Sequence, residues 1–118
     1  MTIQDWSESI TAVELSDDPQ LSDELGNIIE TYAEKPTHVV LNFSAVGFIN
    51  SSNISKLLRL RKLATAARRR LVLACVSPQV WSVLLVTGLD KVFEFTHDMM
   101  TALAGLQMDQ SSARKNKP

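Results

Sequence analysis

The stretch Val39-Val40-Leu41-Asn42-Phe43-Ser44-Ala45-Val46-Gly47-Phe48-Ile49-Asn50-Ser51-Ser52-Asn53-Ile54-Ser55 decides the fold. Val39, Val40, Leu41 and Phe43 make a near-continuous apolar run, the pattern of a strand covered on both faces of a parallel sheet. A short loop follows, and a helix is expected from about Ser52 to about Ala67. That length suits a right-handed crossover between two parallel strands. The second strand of the pair is Leu71-Val72-Leu73-Ala74-Cys75-Val76, again unbroken in its apolar character.

Outward from this unit the same alternation continues. Ile3 to Leu15 holds two strand-like pieces, of which Ile10-Thr11-Ala12-Val13-Glu14-Leu15 is the clearer. Asp18-Pro19 reads as a helix cap followed by proline at the first helical position. Leu21, Leu25, Ile28, Ile29 and Tyr32 then define a one-sided helix that Lys35-Pro36 stops. Ser77-Pro78 opens a short helix ended by Gly88. Val92-Phe93-Glu94-Phe95 reads as a last short strand, and Thr96 is expected to cap a final helix through about Leu106. The order predicts a small single-domain α/β fold over residues 1–108, a mixed, mainly parallel β-sheet flanked by helices. Residues 109–118 lose apolar periodicity and are expected to be a disordered, solvated C-terminal tail.

Composition narrows the function classes. The chain has 118 residues, 45% of them hydrophobic and 21% charged, as in an ordinary globular domain. Its net charge of −1 offers no bulk attraction to nucleic acid or to a membrane surface. No apolar stretch approaches the ~20 residues that span a bilayer, and Met1 to Glu8 lack the basic flank and apolar core of a signal segment. The one cysteine, Cys75, has no mate for an internal disulfide, so a reducing, cytoplasmic setting is expected. Cys75 itself is read as a small buried hydrophobe in mid-strand. His38 and His97 lack any ligand spacing, so they are read as structural, and neither a metal nor another cofactor is expected. No acid, base, nucleophile and oxyanion set converges, so the chain is expected to bind rather than catalyse.

Ser51 and Ser52 admit two readings. Both residue types cap helices, which stabilises by about 1 kcal/mol and needs no partner. A hydroxyl at a helix start also suits a negative charge, which makes Ser51 a candidate phosphate acceptor. Lys56 and Arg59, one and two turns further on, are placed to meet a phosphoserine or a partner's acidic groups. The rest of the basic run (Arg61, Lys62, Arg68, Arg69, Arg70) is read as the solvated face of a helix whose other side carries Leu57 and Leu63. Trp81 and Leu85, one turn apart, form either an outward apolar patch and second interface or packing beneath the last helix or tail.

Three stretches together resemble the STAS domain family in its anti-sigma factor antagonist type. They are Val39 to Ser52, Leu71 to Val80, and Leu84-Leu85-Val86-Thr87-Gly88-Leu89-Asp90-Lys91-Val92-Phe93. The resemblance implies a cytoplasmic bacterial signalling module that regulates transcription by capturing an anti-sigma factor that is also a serine kinase. Phosphorylation, carried onto Ser51 here, would end the capture. The implied contact surface comprises Phe48, Asn50, Ser51, Ser52, Asn53, Lys56 and Arg59; nucleic acid and membrane insertion are not implied, and a homodimer is compatible. Two alternatives stand beside it: a non-switching scaffold subunit of a signalling assembly, and the soluble accessory component of a lipid ABC transporter. The chain departs from its relatives at Asn50 and Asn53, where they carry aspartate and glycine, and at Arg68-Arg69-Arg70, where they place glycines. An arginine in the left-handed conformation a glycine would adopt costs about 1 kcal/mol.

Overall fold

The computed structural model describes residues 2–7 and 9–115, with side chains described for Ile3 and residues 9–108. The elements follow the expected alternation: β1 (Thr2–Ser7), β2 (Ile10–Glu14), α1 (Gln20–Tyr32), β3 (His38–Asn42), α2 (Ser51–Ala66), β4 (Leu71–Ala74), α3 (Pro78–Val86), a 3-10 turn (Leu89–Lys91), β5 (Glu94–Thr96) and α4 (Met99–Lys115). They build one five-stranded sheet in the order β1-β2-β3-β4-β5. β1 pairs antiparallel with β2, and the other three pairings are parallel. The mainly parallel sheet is therefore as the two-sided apolar runs require.

The alternation of side chains along each strand divides the core into two layers. One face carries Val13, Leu41, Phe43 and Leu73, packed against Leu21, Leu25 and Ile28 of α1, Leu57 and Leu60 of α2, and Val80 and Leu84 of α3. The other face carries Ile10, Ala12, Val40, Val72 and Ala74 beneath Ala102, Leu103 and Leu106 of α4. Each fully buried Leu or Ile contributes about 1.5–3 kcal/mol, so the first layer dominates the stability.

Several local expectations are corrected. Pro19 stands just ahead of α1 rather than inside it, and the Asp18 carboxylate accepts from the Ser22 N–H at 3.0 Å and from its hydroxyl at 3.1 Å. The last strand begins at Glu94, because Val92 and Phe93 donate their N–H groups back to the Leu89 carbonyl. Asp98, not Thr96, caps α4: its Oδ1 accepts from the Thr101 N–H at 2.7 Å, while the Thr96 hydroxyl donates to the Asp98 carbonyl. Helical backbone continues to Lys115, past the expected end near Leu106. The tail expected over 109–118 falls on residues whose side chains, and from 116 whose backbone, lie outside the described residues. Cys75 follows β4 rather than lying within it, half-buried and with φ at 61°.

The end of α2 follows the sequence. Arg68 takes φ of 59°, while Arg69 N–H bonds the Ala64 carbonyl at 2.8 Å and Arg68 N–H that of Thr65 at 3.0 Å. This is the paired-bond helix stop usually built on glycine.

Candidate functional site

The parallel register places the β2–α1 loop beside the β3–α2 loop at one end of the sheet. In the second loop Val46 and Ile49 point inward, and Phe48 between them is 64% exposed. Asn50, in extended backbone, is the N-cap of α2. Its side chain accepts from the Asn53 N–H at 2.9 Å, and the Asn53 side chain accepts from the Asn50 N–H at 2.9 Å. This asparagine pair performs the reciprocal capping usually built from serine and glutamate.

Ser51 and Ser52 consequently occupy the first two positions inside the helix and are not caps. Both are exposed, and among the described residues neither hydroxyl makes a hydrogen bond. They lie over unpaired helix N–H groups, where negative charge is favoured.

Asp18, expected only as a helix cap, holds this corner in place together with Asp17 and Ser22. Asp17 Oδ1 accepts from the Gly47 N–H at 2.8 Å, and Asp18 Oδ2 accepts from the Asn50 amide at 2.8 Å. The Asn53 amide donates to the Ser22 hydroxyl at 3.1 Å. Partial desolvation raises the Asp18 carboxyl, but hydrogen bonds from the Ser22 backbone and hydroxyl, then Asn53 and Asn50, outweigh it and hold the group below its ordinary value.

Asn50 and Asn53 share a common physical role here, both tied to the Asp18 and Ser22 corner. An aspartate at position 50 would set its carboxylate against that of Asp18, whereas the amide donates to it. Asn53 is fully buried, so it belongs to the internal network and not to the contact surface expected for it. Lys56 is also tethered, its Nζ donating to the Ser22 carbonyl at 3.1 Å. Arg59 is exposed and makes no side-chain hydrogen bond or ion pair among the described residues. The exposed members are thus Phe48, Ser51, Ser52 and Arg59, with Asn50 half-buried among them.

Trp81 and Leu85 lie on a separate face. The Trp81 ring packs edge-on against Phe95 with centroids 5.0 Å apart, while Leu85 is 48% exposed. Beside them lies a groove of about 530 Å³ lined by Val76, Pro78, Trp81, Phe95, Thr96 and His97. Among the described residues no group of His, Cys, Asp and Glu could hold a metal ion, and no helix is long and apolar enough to cross a membrane.

Comparison with known proteins bears on the fold and the family. The family model described as STAS domain matches residues 2–102. Among solved structures, an anti-sigma-factor antagonist (STAS) domain protein from Planctomyces limnophilus is 20% identical, with a TM-score of 0.77 over 90% of this chain and 97% of that one. A serine-to-glutamate variant of RsbS from Moorella thermoacetica is 17% identical, with a TM-score of 0.78 over 93% and 97% of the two chains. The Bacillus cell fate determinant SpoIIAA in its phosphorylated form is 19% identical, with a TM-score of 0.62 over 87% and 96%. At these identities the likeness is one of fold. No curated protein matches the sequence.

Proposed function

The chain belongs to the STAS domain family, and we propose that it is an anti-sigma factor antagonist-type module that captures an anti-sigma factor with serine kinase activity and releases it when Ser51 is phosphorylated. The observation that carries this reading is the division of labour at the start of α2. Asn50 and Asn53 do the capping, which leaves the Ser51 hydroxyl exposed with no structural task. A structural neighbour, SpoIIAA, is known in a phosphorylated form, which supports the analogy.

The proposed contact surface runs from Phe48 through Ser51 and Ser52 to Arg59. Phe48 supplies an exposed aromatic anchor of the kind enriched at protein interfaces. A phosphate on Ser51 would add about −1.5 to −2 charges. In the unbound protein the helix end and solvent accommodate it. In the complex it would have to be desolvated beside a loop already held by two carboxylates, Asp17 and Asp18, and this penalty drives release. Such a module performs no chemistry of its own.

Capture of the cognate anti-sigma factor in a pull-down tests the switch: Ser51→Ala keeps it and Ser51→Asp weakens it. Equal capture by both variants defeats the switch. A non-switching scaffold role is favoured by one observation, the closure of Asn50 and Asn53 into an internal network where relatives offer aspartate and glycine. Incubation with the kinase and ATP, read by intact mass, separates the two: one added phosphate on Ser51 for the switch, none for the scaffold.

A further inference from the structure

At the far end of α2 from Ser51, four arginines surround a groove of about 300 Å³. Arg61, Arg68, Arg69 and Arg70 line it, with Ala64 and Leu71 among the apolar residues and Glu94 as the one carboxylate. Arg70 is already committed, through a two-pronged ion pair to Glu94. Arg61 uses its Nε on the Val92 carbonyl at 2.8 Å, which orients the guanidinium and leaves its outer nitrogens unused among the described residues. Arg68 and Arg69 make no side-chain hydrogen bond or ion pair among the described residues.

Two unfavourable features therefore coincide. Three guanidiniums share one small groove whose one carboxylate, Glu94, is already paired with Arg70, and one of the three sits on a left-handed backbone, φ 59°, where glycine would be at ease. The backbone that carries them is nevertheless pinned: Arg69 N–H to Ala64 O at 2.8 Å, Arg70 N–H to His38 Nδ1 at 2.9 Å, and Val39 N–H to Arg70 O at 2.9 Å. Strain retained on a rigid frame points to function rather than to looseness.

We propose that this groove is a binding site for a small ligand bearing a multiply charged phosphate. Guanidinium forks match phosphate oxygens in pairs, and three uncompensated forks call for more charge than a single carboxylate carries. The ligand's phosphate sits between Arg61, Arg68 and Arg69. The site is independent of the Ser51 surface and does not rest on it.

The test uses the full chain with pyrophosphate as probe, sodium chloride at matched ionic strength as control, and thermal unfolding and calorimetry as readouts. Pyrophosphate is expected to raise the melting temperature where chloride does not. Arg68→Gly is expected to melt higher than the parent without ligand, because the left-handed strain is gone, and to bind pyrophosphate at least tenfold more weakly. Arg69→Gln should weaken binding similarly while leaving the ligand-free melting temperature near the parent's. Sulfate is a further probe: binding weaker than that of pyrophosphate supports the ligand class, and equally strong binding overturns it. Equal stabilisation by chloride, or unaltered binding in Arg68→Gly and Arg69→Gln together, overturns the site itself.

Discussion

Replacing Asn53 by alanine isolates the capping network from the serines beside it. The Asn53 side chain is fully buried and makes two short hydrogen bonds, one from the Asn50 N–H at 2.9 Å and one to the Ser22 hydroxyl at 3.1 Å. Each such bond contributes about 0.5–1.5 kcal/mol, and the Asn50 N–H would lose its partner, so Asn53→Ala should cost about 2 kcal/mol. The half of the box that runs from the Asn53 N–H to Asn50 survives, which keeps the loss from being larger. Unfolding entropy scales with chain length, and for 118 residues about 1 kcal/mol corresponds to roughly 4 °C. A drop of about 8 °C in the midpoint of thermal unfolding, followed by far-UV circular dichroism, is therefore expected. Ser51→Ala is the matched control and should shift stability by no more than about 0.5 kcal/mol, because the hydroxyl has no partner to lose. An Asn53→Ala protein melting within about 2 °C of the parent, together with a clear loss in Ser51→Ala, would refute the assignment of capping to the asparagines.

Leu60, fully buried between α2 and the sheet, should cost about 2–5 kcal/mol on replacement by alanine, read from urea unfolding; a smaller loss would mean the layer is loosely packed. Trp81→Ala removes the edge-on pair with Phe95 and should cost at least about 1 kcal/mol by the same measurement, despite the partial exposure of the ring. Asp98 is held below its ordinary carboxyl value chiefly by hydrogen bonds from Thr101 and by His97, and Asp18 is lowered likewise by its own network. Carboxyls lowered in the folded state stabilise it at any pH above 3.8, and that contribution vanishes as acid takes the pH down through their folded values. Melting temperature should accordingly fall on the acid side of about pH 4, and Asp98→Asn, which can still cap, should flatten that fall.

The strands were legible because burial on both faces leaves little ambiguity in Val39-Val40-Leu41 and Leu71-Val72-Leu73, and the parallel order follows from the helix between them. The helix cap was not. Asparagine and serine cap about equally well, so Asn50, Ser51 and Ser52 are three adjacent candidates, and only the return bond from buried Asn53 chooses among them. Asparagine at that third position is outside the usual glutamate or glutamine signature, so the box left no familiar trace. Asp17, Asp18 and Ser22 act across the loop–loop gap, some thirty residues away in sequence, where local patterns carry no information. The Val92 to Thr96 boundary failed for a similar reason, since the Leu89 carbonyl competes successfully for the Val92 and Phe93 N–H groups. Arg68, by contrast, was readable from charge at a helix end that normally carries glycine.

The two layers of the core differ greatly in how they are closed. Three helices share the first, whereas the second depends on Ala102, Leu103 and Leu106 of a single helix. If α4 lifted away, Ile10, Val40 and Val72 would be bared as a flat aliphatic plate with no second shutter to cover it. The last helix thus guards the molecule against sticking to its own copies in a crowded solution, even though most of the stability resides in the other layer.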